Sequence, residues 1–69
     1  MNSKLSYLGS GSLGGHGITV YHDMPDFNIW IMIDGNEKTI KPCGFSLVGY
    51  SRLDVLDLAF ACACDYLCL

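Results

Sequence analysis

Residues 52–69, R-L-D-V-L-D-L-A-F-A-C-A-C-D-Y-L-C-L, constrain the fold more than any other stretch of this chain. Their apolar residues recur every three or four positions, as on one side of an α-helix. Leu53, Leu56, Phe60, Ala63 or Cys64, and Leu67 form the stripe expected to face a sheet. Ser51 suits the N-cap, and Asp54 three residues later completes a capping-box pattern. Tyr50, just before the cap, is placed to pack on Val55. Asp54 and Asp57 lie near the positive end of the helix dipole, where carboxylates are favoured. Toward its end the helix becomes apolar on every side, which leaves Leu58, Ala61, Cys62 and Leu69 turned away from the sheet. A chain this short buries only about 60% of the surface that its unfolded form exposes. Part of so apolar a helix is therefore expected to pack against another molecule.

The preceding sequence reads as a small sheet. Residues 4–8 suit a short strand with Leu5 and Tyr7 on one face, and residues 9–17, rich in glycine and serine, suit a loop. Residues 18–22 alternate, with Ile18, Val20 and His22 opposite Thr19 and Tyr21. A turn follows around Pro25. Residues 27–33 are the clearest strand. Phe27, Ile29, Ile31 and Ile33 make one wholly apolar face, and Asn28, Trp30 and Met32 make the other. A strand apolar on both faces is central, or has its second face covered. Asp34-Gly35 marks a hairpin turn. Residues 37–41 return as a polar edge strand, where lysines discourage stray pairing. Pro42, Cys43 and Gly44 are expected to end it, and residues 45–49 to give a further short strand or the approach to the helix.

The expected fold is thus a single α+β domain over residues 1–69. A small antiparallel sheet of three or four strands packs on one C-terminal helix, in a βββα-like order. Trp30, Met32 and Tyr21 are left on the far face of the sheet. That face and the back of the helix are both candidate contact surfaces, because large exposed apolar patches on small proteins often mark interfaces.

Residues 8–14, L-G-S-G-S-L-G, satisfy G-x-G-x-x-G. Over those seven residues the segment resembles the glycine-rich loop of protein kinases, which lies between two strands and covers ATP phosphates. The V-A-I-K, H-R-D and D-F-G elements are absent, so the resemblance does not extend to kinase activity. A dinucleotide-binding loop would open a helix, and here a strand follows. What remains is a weak ligand loop, in which amides around Gly9, Gly11 and Gly14 cradle an anion beside His16. The plainer reading is a flexible hairpin loop.

Cys43, Cys62, Cys64 and Cys68 make an even count, which in a secreted chain would mark a disulfide framework. The N-terminal residues lack the charged run and long apolar stretch of a signal peptide. Reduced thiols and a cytoplasmic location are therefore expected, the host cytoplasm if the chain is phage-encoded. Cys64 and Cys68 share a helix face and could offer two metal ligands, with Cys43 or His22 from the sheet. The spacing C-x-C-x3-C matches no zinc knuckle, and free cysteine is commonly a small buried apolar residue. We expect no metal and no cofactor. A catalytic thiol needs a depressed pKa, and Cys43, in a turn after Lys41 and paired with His16 or His22, is the one candidate. A domain of this size leaves little room for a substrate pocket, so no enzymatic activity is expected.

The net charge of −3 argues against direct nucleic-acid binding, which usually rests on basic surfaces. The charge-free apolar run at residues 58–64 is far shorter than the roughly 20 residues that span a bilayer, so no membrane partner is expected. Trp30, Met32, Tyr21 and Tyr66 are candidate anchors for a protein partner, since aromatic residues and methionine are enriched at interface centres. Asp23 and Asp26 flank one turn, and Asp54 and Asp57 lie on the first turns of the helix. If these fall at one end of the molecule, they steer it toward a basic protein surface. The expected function is a small acidic stand-alone protein-binding module, with homo-oligomerisation as a second mode. In general character it resembles virus- or mobile-element-encoded inhibitors of host defence or nucleic-acid-processing complexes, such as anti-CRISPR proteins, although no motif carries that likeness. The alternatives are a small-ligand or metal binder using residues 9–17 or the cysteines, and a structural subunit of a larger assembly.

Overall fold

The computed structural model describes residues 4–24 and 26–68. Four strands, β1 (Lys4–Leu13), β2 (His16–Met24), β3 (Asn28–Ile33) and β4 (Asn36–Ser46), precede one helix, α1 (Arg52–Leu67). The strands form a single antiparallel sheet in the order β1-β2-β3-β4. The helix packs on one face of it. The α+β architecture is the expected one, with four strands.

Three strands run further than their sequences announce. Residues 9–13 belong to β1 and residues 16 and 17 to β2, so the expected loop shrinks to a turn at Gly14-Gly15. Both glycines have positive φ, 54° and 84°, as a two-residue hairpin requires. Glycine and serine are poor strand formers, but here the glycines answer a need of the helix. A Cβ on Gly9 would lie 2.9 Å from Leu56, and one on Gly11 would lie 2.9 Å from the Phe60 ring. The bare backbone of β1 makes room for these two helix side chains. The second correction concerns β4, which passes through Pro42, Cys43 and Gly44 instead of ending there. Proline is tolerated because β4 is an edge strand. Residues 43–45 bulge opposite Ile29, with Gly44 at φ 82°. Nearer the β3–β4 turn the ladder breaks again, and the Thr39 hydroxyl stands in for it by accepting the Ile33 N–H at 2.9 Å. That turn is Asp34-Gly35, with φ 56° and 68°, as expected.

The core lies between the sheet and the helix. Ile18, Val20, Ile29 and Ile31 are fully buried there, each contributing roughly 1.5–3 kcal/mol. The helix stripe set against them is Val55, Ala59 and Ala63, flanked by Leu56, Phe60, Cys62 and Leu67. Leu56, Phe60, Ala63 and Leu67 belong to the stripe read in the sequence, but its centre is taken by Val55 and Ala59 and its first residue stays outside. Leu53 is 75% exposed, and Cys62 is half-buried on the core instead of lying on the outer side. The cause is complementary volume. Large isoleucines face small alanines along the centre, and the large residues Leu56 and Phe60 fit over the glycines of β1. Leu69 lies outside the described residues.

The helix begins as its sequence indicates, with the Ser51 side chain accepting the Asp54 N–H. The Tyr50 ring meets Phe45 edge-on at 5.7 Å, while Val55 is fully buried. Arg52 is a cation at the positive end of the dipole, an unfavourable place by itself. Its guanidinium donates from Nε (3.1 Å) and Nη2 (2.6 Å) to the Leu8 carbonyl, where β1 bulges between Tyr7 and Gly9. The other end of the sheet is held by His16 and Asp34, one from each hairpin. Asp34 lies 2.8 Å from His16 Nδ1 and accepts the Gly17 N–H at 3.0 Å. These two contacts hold its carboxyl below the usual carboxylate range, the His16 hydrogen bond contributing most.

Two outcomes follow. Gly11→Ala should lower unfolding free energy by about 1–3 kcal/mol in urea titrations, because the stiff Phe60 ring cannot swing aside. Gly9→Ala should cost less, since the Leu56 methyls can rotate, and Phe60→Leu should restore part of the Gly11→Ala loss. Equal stability of wild type and Gly11→Ala would contradict the close approach. A carboxylate with a depressed folded pKa stabilises above its unfolded pKa, near 3.9, and loses that contribution as pH falls through the folded value. Wild type should therefore exceed Asp34→Asn in Tm at neutral pH, and the gap should close at acid pH. A gap independent of pH would sink this reading.

Candidate functional site: the uncovered sheet face

Among the described residues, no element covers the face of the sheet opposite the helix. Strand alternation puts Tyr21 and Thr19 of β2 there, because Ile18 and Val20 point into the core. Trp30 and Met32 of β3 join them. Tyr21 pairs directly with Trp30, and Thr19 with Met32. On the outer sides lie Tyr7, opposite Tyr21, and Pro42, opposite Trp30. Tyr7 is 60% exposed, its ring edge-on to Tyr21 at 6.4 Å and its hydroxyl 3.0 Å from Ser10. The face is an aromatic row across three strands, Tyr7, Tyr21 and Trp30, extended by Met32.

The row is fixed by a carboxylate. Asp23, only 8% exposed, accepts the Trp30 indole N–H on Oδ2 and the Asn28 N–H on Oδ1, both at 3.0 Å. Its backbone carbonyl also accepts the Phe27 N–H at 3.0 Å, closing the turn into β3. Phe27 adopts a positive φ of 60° there and stacks on His22 at 5.7 Å. Burying a carboxylate is costly unless donors compensate, and here two N–H groups do. Asp23 thus orients Trp30 instead of forming part of an exposed acidic rim.

The structure divides the other expected partner residues. Leu47 N–H bonds to the Phe27 carbonyl, so the β2–β3 turn and the start of α1 share one end of the molecule. Asp26, Asp54 and Asp57 are exposed, with Asp26 in that turn and the other two on the helix. Tyr66 is not part of the aromatic row. It sits on the helix, donates its hydroxyl to the Pro42 carbonyl at 2.9 Å, and has the Lys41 ammonium 5.5 Å from its ring centre. Tyr7 escaped the sequence reading as an anchor, because its place beside Tyr21 depends on the Leu8 bulge. The orienting role of Asp23 carried no local signal.

The weak ligand loop does not exist as a loop. Gly9 and Gly11 lie in β1 over Leu56 and Phe60, Gly14 lies in the turn, and His16 is engaged with Asp34. Cys43 is not an activated thiol. Burial pushes its pKa well above the usual range, and a hydrogen bond and charge from Cys62 push it further, so it stays protonated at neutral pH. Among the described residues, no three His, Cys, Asp or Glu side chains cluster to hold a metal ion. Among the described residues, no helix is long and apolar enough to cross a membrane.

Comparison with protein-family models, with curated proteins and with solved structures finds no match to this chain. The site must be read from its own geometry.

The Asp23–Trp30 contact is open to direct test. Asp23→Ala should cost about 1–3 kcal/mol, because it strands two donors, and should weaken the near-UV circular dichroism of Trp30. Asp23→Asn, which keeps one carbonyl acceptor, should cost less. Unchanged stability and an unchanged tryptophan signal in Asp23→Ala would remove Asp23 from its orienting role.

Proposed function

We propose that this protein is a protein-binding module whose contact surface is the row Tyr7, Tyr21, Trp30 and Met32. The observation that carries the reading is the Trp30 indole, held by a nearly buried carboxylate on a face that no described element covers. A large ring with its orientation already fixed loses little conformational entropy on binding, which is a property of interface anchors. Tyrosine and methionine around it supply the apolar contact area found at interface centres. The net charge of −3, with Asp26, Asp54 and Asp57 exposed, favours a partner with a basic surface.

A second reading has its own support. Val48 and Leu53, near the start of the helix, are 71% and 75% exposed, and Leu58 is exposed further along it. A structural subunit would dock through these exposed side chains. Two variants separate the readings in a binding titration against a protein captured with the wild-type chain and then purified. Tyr21→Ala with Trp30→Ala should weaken binding at least about thirtyfold, equivalent to ~2 kcal/mol. Leu53→Ser with Leu58→Ser should leave it within about threefold. The reverse pattern would replace the first reading by the second.

A further inference from the structure

We propose that two copies of this chain pair through the outer edge of β1, forming one sheet continuous across a two-fold axis. The observation is a contrast between the two edges. β4 is guarded by the exposed Lys38, by Pro42 and by two breaks in register. Such features keep an edge strand from pairing with other chains. β1 has neither a charged residue nor a proline between Leu5 and Leu13. Its one irregularity is the bulge at Leu8, whose carbonyl is already held by Arg52. From Gly9 to Leu13 the register with β2 is regular, residue for residue. An antiparallel strand with one neighbour leaves the N–H and C=O of alternate residues unpaired on its outer side. Among the described residues, nothing lies beyond β1 in the sheet.

The stretch Gly9-Ser10-Gly11-Ser12-Leu13 has little intrinsic preference for an extended strand. It is held extended by β2 on one side and by Leu56 and Phe60 beneath Gly9 and Gly11. A second ladder would use a backbone already in place. Charge selects the occupant. The exposed carboxylates Asp26, Asp34, Glu37, Asp54, Asp57 and Asp65 all lie outside β1, so a basic segment of another protein finds no carboxylate within this stretch. A second copy brings an equally uncharged edge and meets no like-charge repulsion there, although each chain carries −3 overall.

The geometry is self-complementary. Antiparallel pairing centred on Gly11 sets Ser10 opposite Ser12 of the second copy and Gly9 opposite Leu13 of the second copy. Residues that face the helix then meet residues that face the helix. The serines meet on the uncovered side, where short hydroxyl side chains pair favourably across strands. The two aromatic rows then lie on one surface. This inference stands independently of the partner reading above.

Native mass spectrometry and light scattering over a concentration series test it. Wild type should form a dimer as concentration rises. Ser10→Lys with Ser12→Lys places charge at two exposed positions and should give a monomer with unchanged circular dichroism, while Trp30→Ala should stay dimeric. Should the lysine variant fail to fold, amide exchange of the wild type decides: protection of residues 9–13 should rise with concentration. A wild type that is monomeric throughout, concentration-independent exchange at residues 9–13, or a folded lysine variant that remains dimeric would each overturn the proposal. A dimer lost in Trp30→Ala and kept in the lysine variant would place self-association on the sheet face instead.

Discussion

The arrangement of this molecule depends on how closely one helix approaches one strand. Gly9 and Gly11 of β1 present bare backbone to Leu56 and Phe60, which stand one helical turn apart. Strand residues i and i+2 share a face, as do helix residues i and i+4. Two periodicities therefore meet at two points. Side chains on the glycines would lift the helix from the sheet and separate Ala59 and Ala63 from the isoleucines. The small central stripe and the glycine strand are two halves of one packing solution.

Among the described residues, one helix covers one face of the sheet and no element covers the other. β3 is apolar on that side too, with Trp30 and Met32, and its neighbours add Tyr21 and Pro42. Here the nearest carboxylate, Asp23, turns inward and holds the indole. The carboxylate fixes the orientation of Trp30, and that order is the main reason to read the face as a contact surface and not as an accident of composition.

Much of this was legible in the sequence. Alternation located most of β2 and β3 with their faces, although Phe27, read on the core face of β3, lies in the turn before it at positive φ; Asp34-Gly35 located the second hairpin, and Ser51 located the helix start. Local propensity failed where tertiary packing overrode it. Residues 9–13 read as a loop because glycine and serine disfavour strands, and their use appears only when Leu56 and Phe60 are in place above them. Pro42 and Gly44 read as a strand end, yet an edge strand tolerates one and a bulge uses the other. Of the helix stripe, Leu56, Phe60, Ala63 and Leu67 pack on the core as read, whereas Leu53 is exposed and the small centre at Val55 and Ala59 was missed, because periodicity ranks residues by hydrophobicity and the packed interface selects by volume. Among the site residues, Tyr21, Trp30 and Met32 follow from alternation alone. Tyr7 needs the bulge and Asp23 needs the turn, and neither leaves a pattern in the chain.

The central claim is that the sheet has one dry face and one wet face. Paramagnetic solvent relaxation, read by NMR on side-chain protons in dilute solution, tests it most directly. The account predicts strong relaxation of the Tyr7 ring and the Met32 methyl, and little of the Ile18, Ile29 and Ile31 methyls. Protection of Tyr7 and Met32 comparable to that of the isoleucines would mean that the aromatic face is already covered, and would contradict the account.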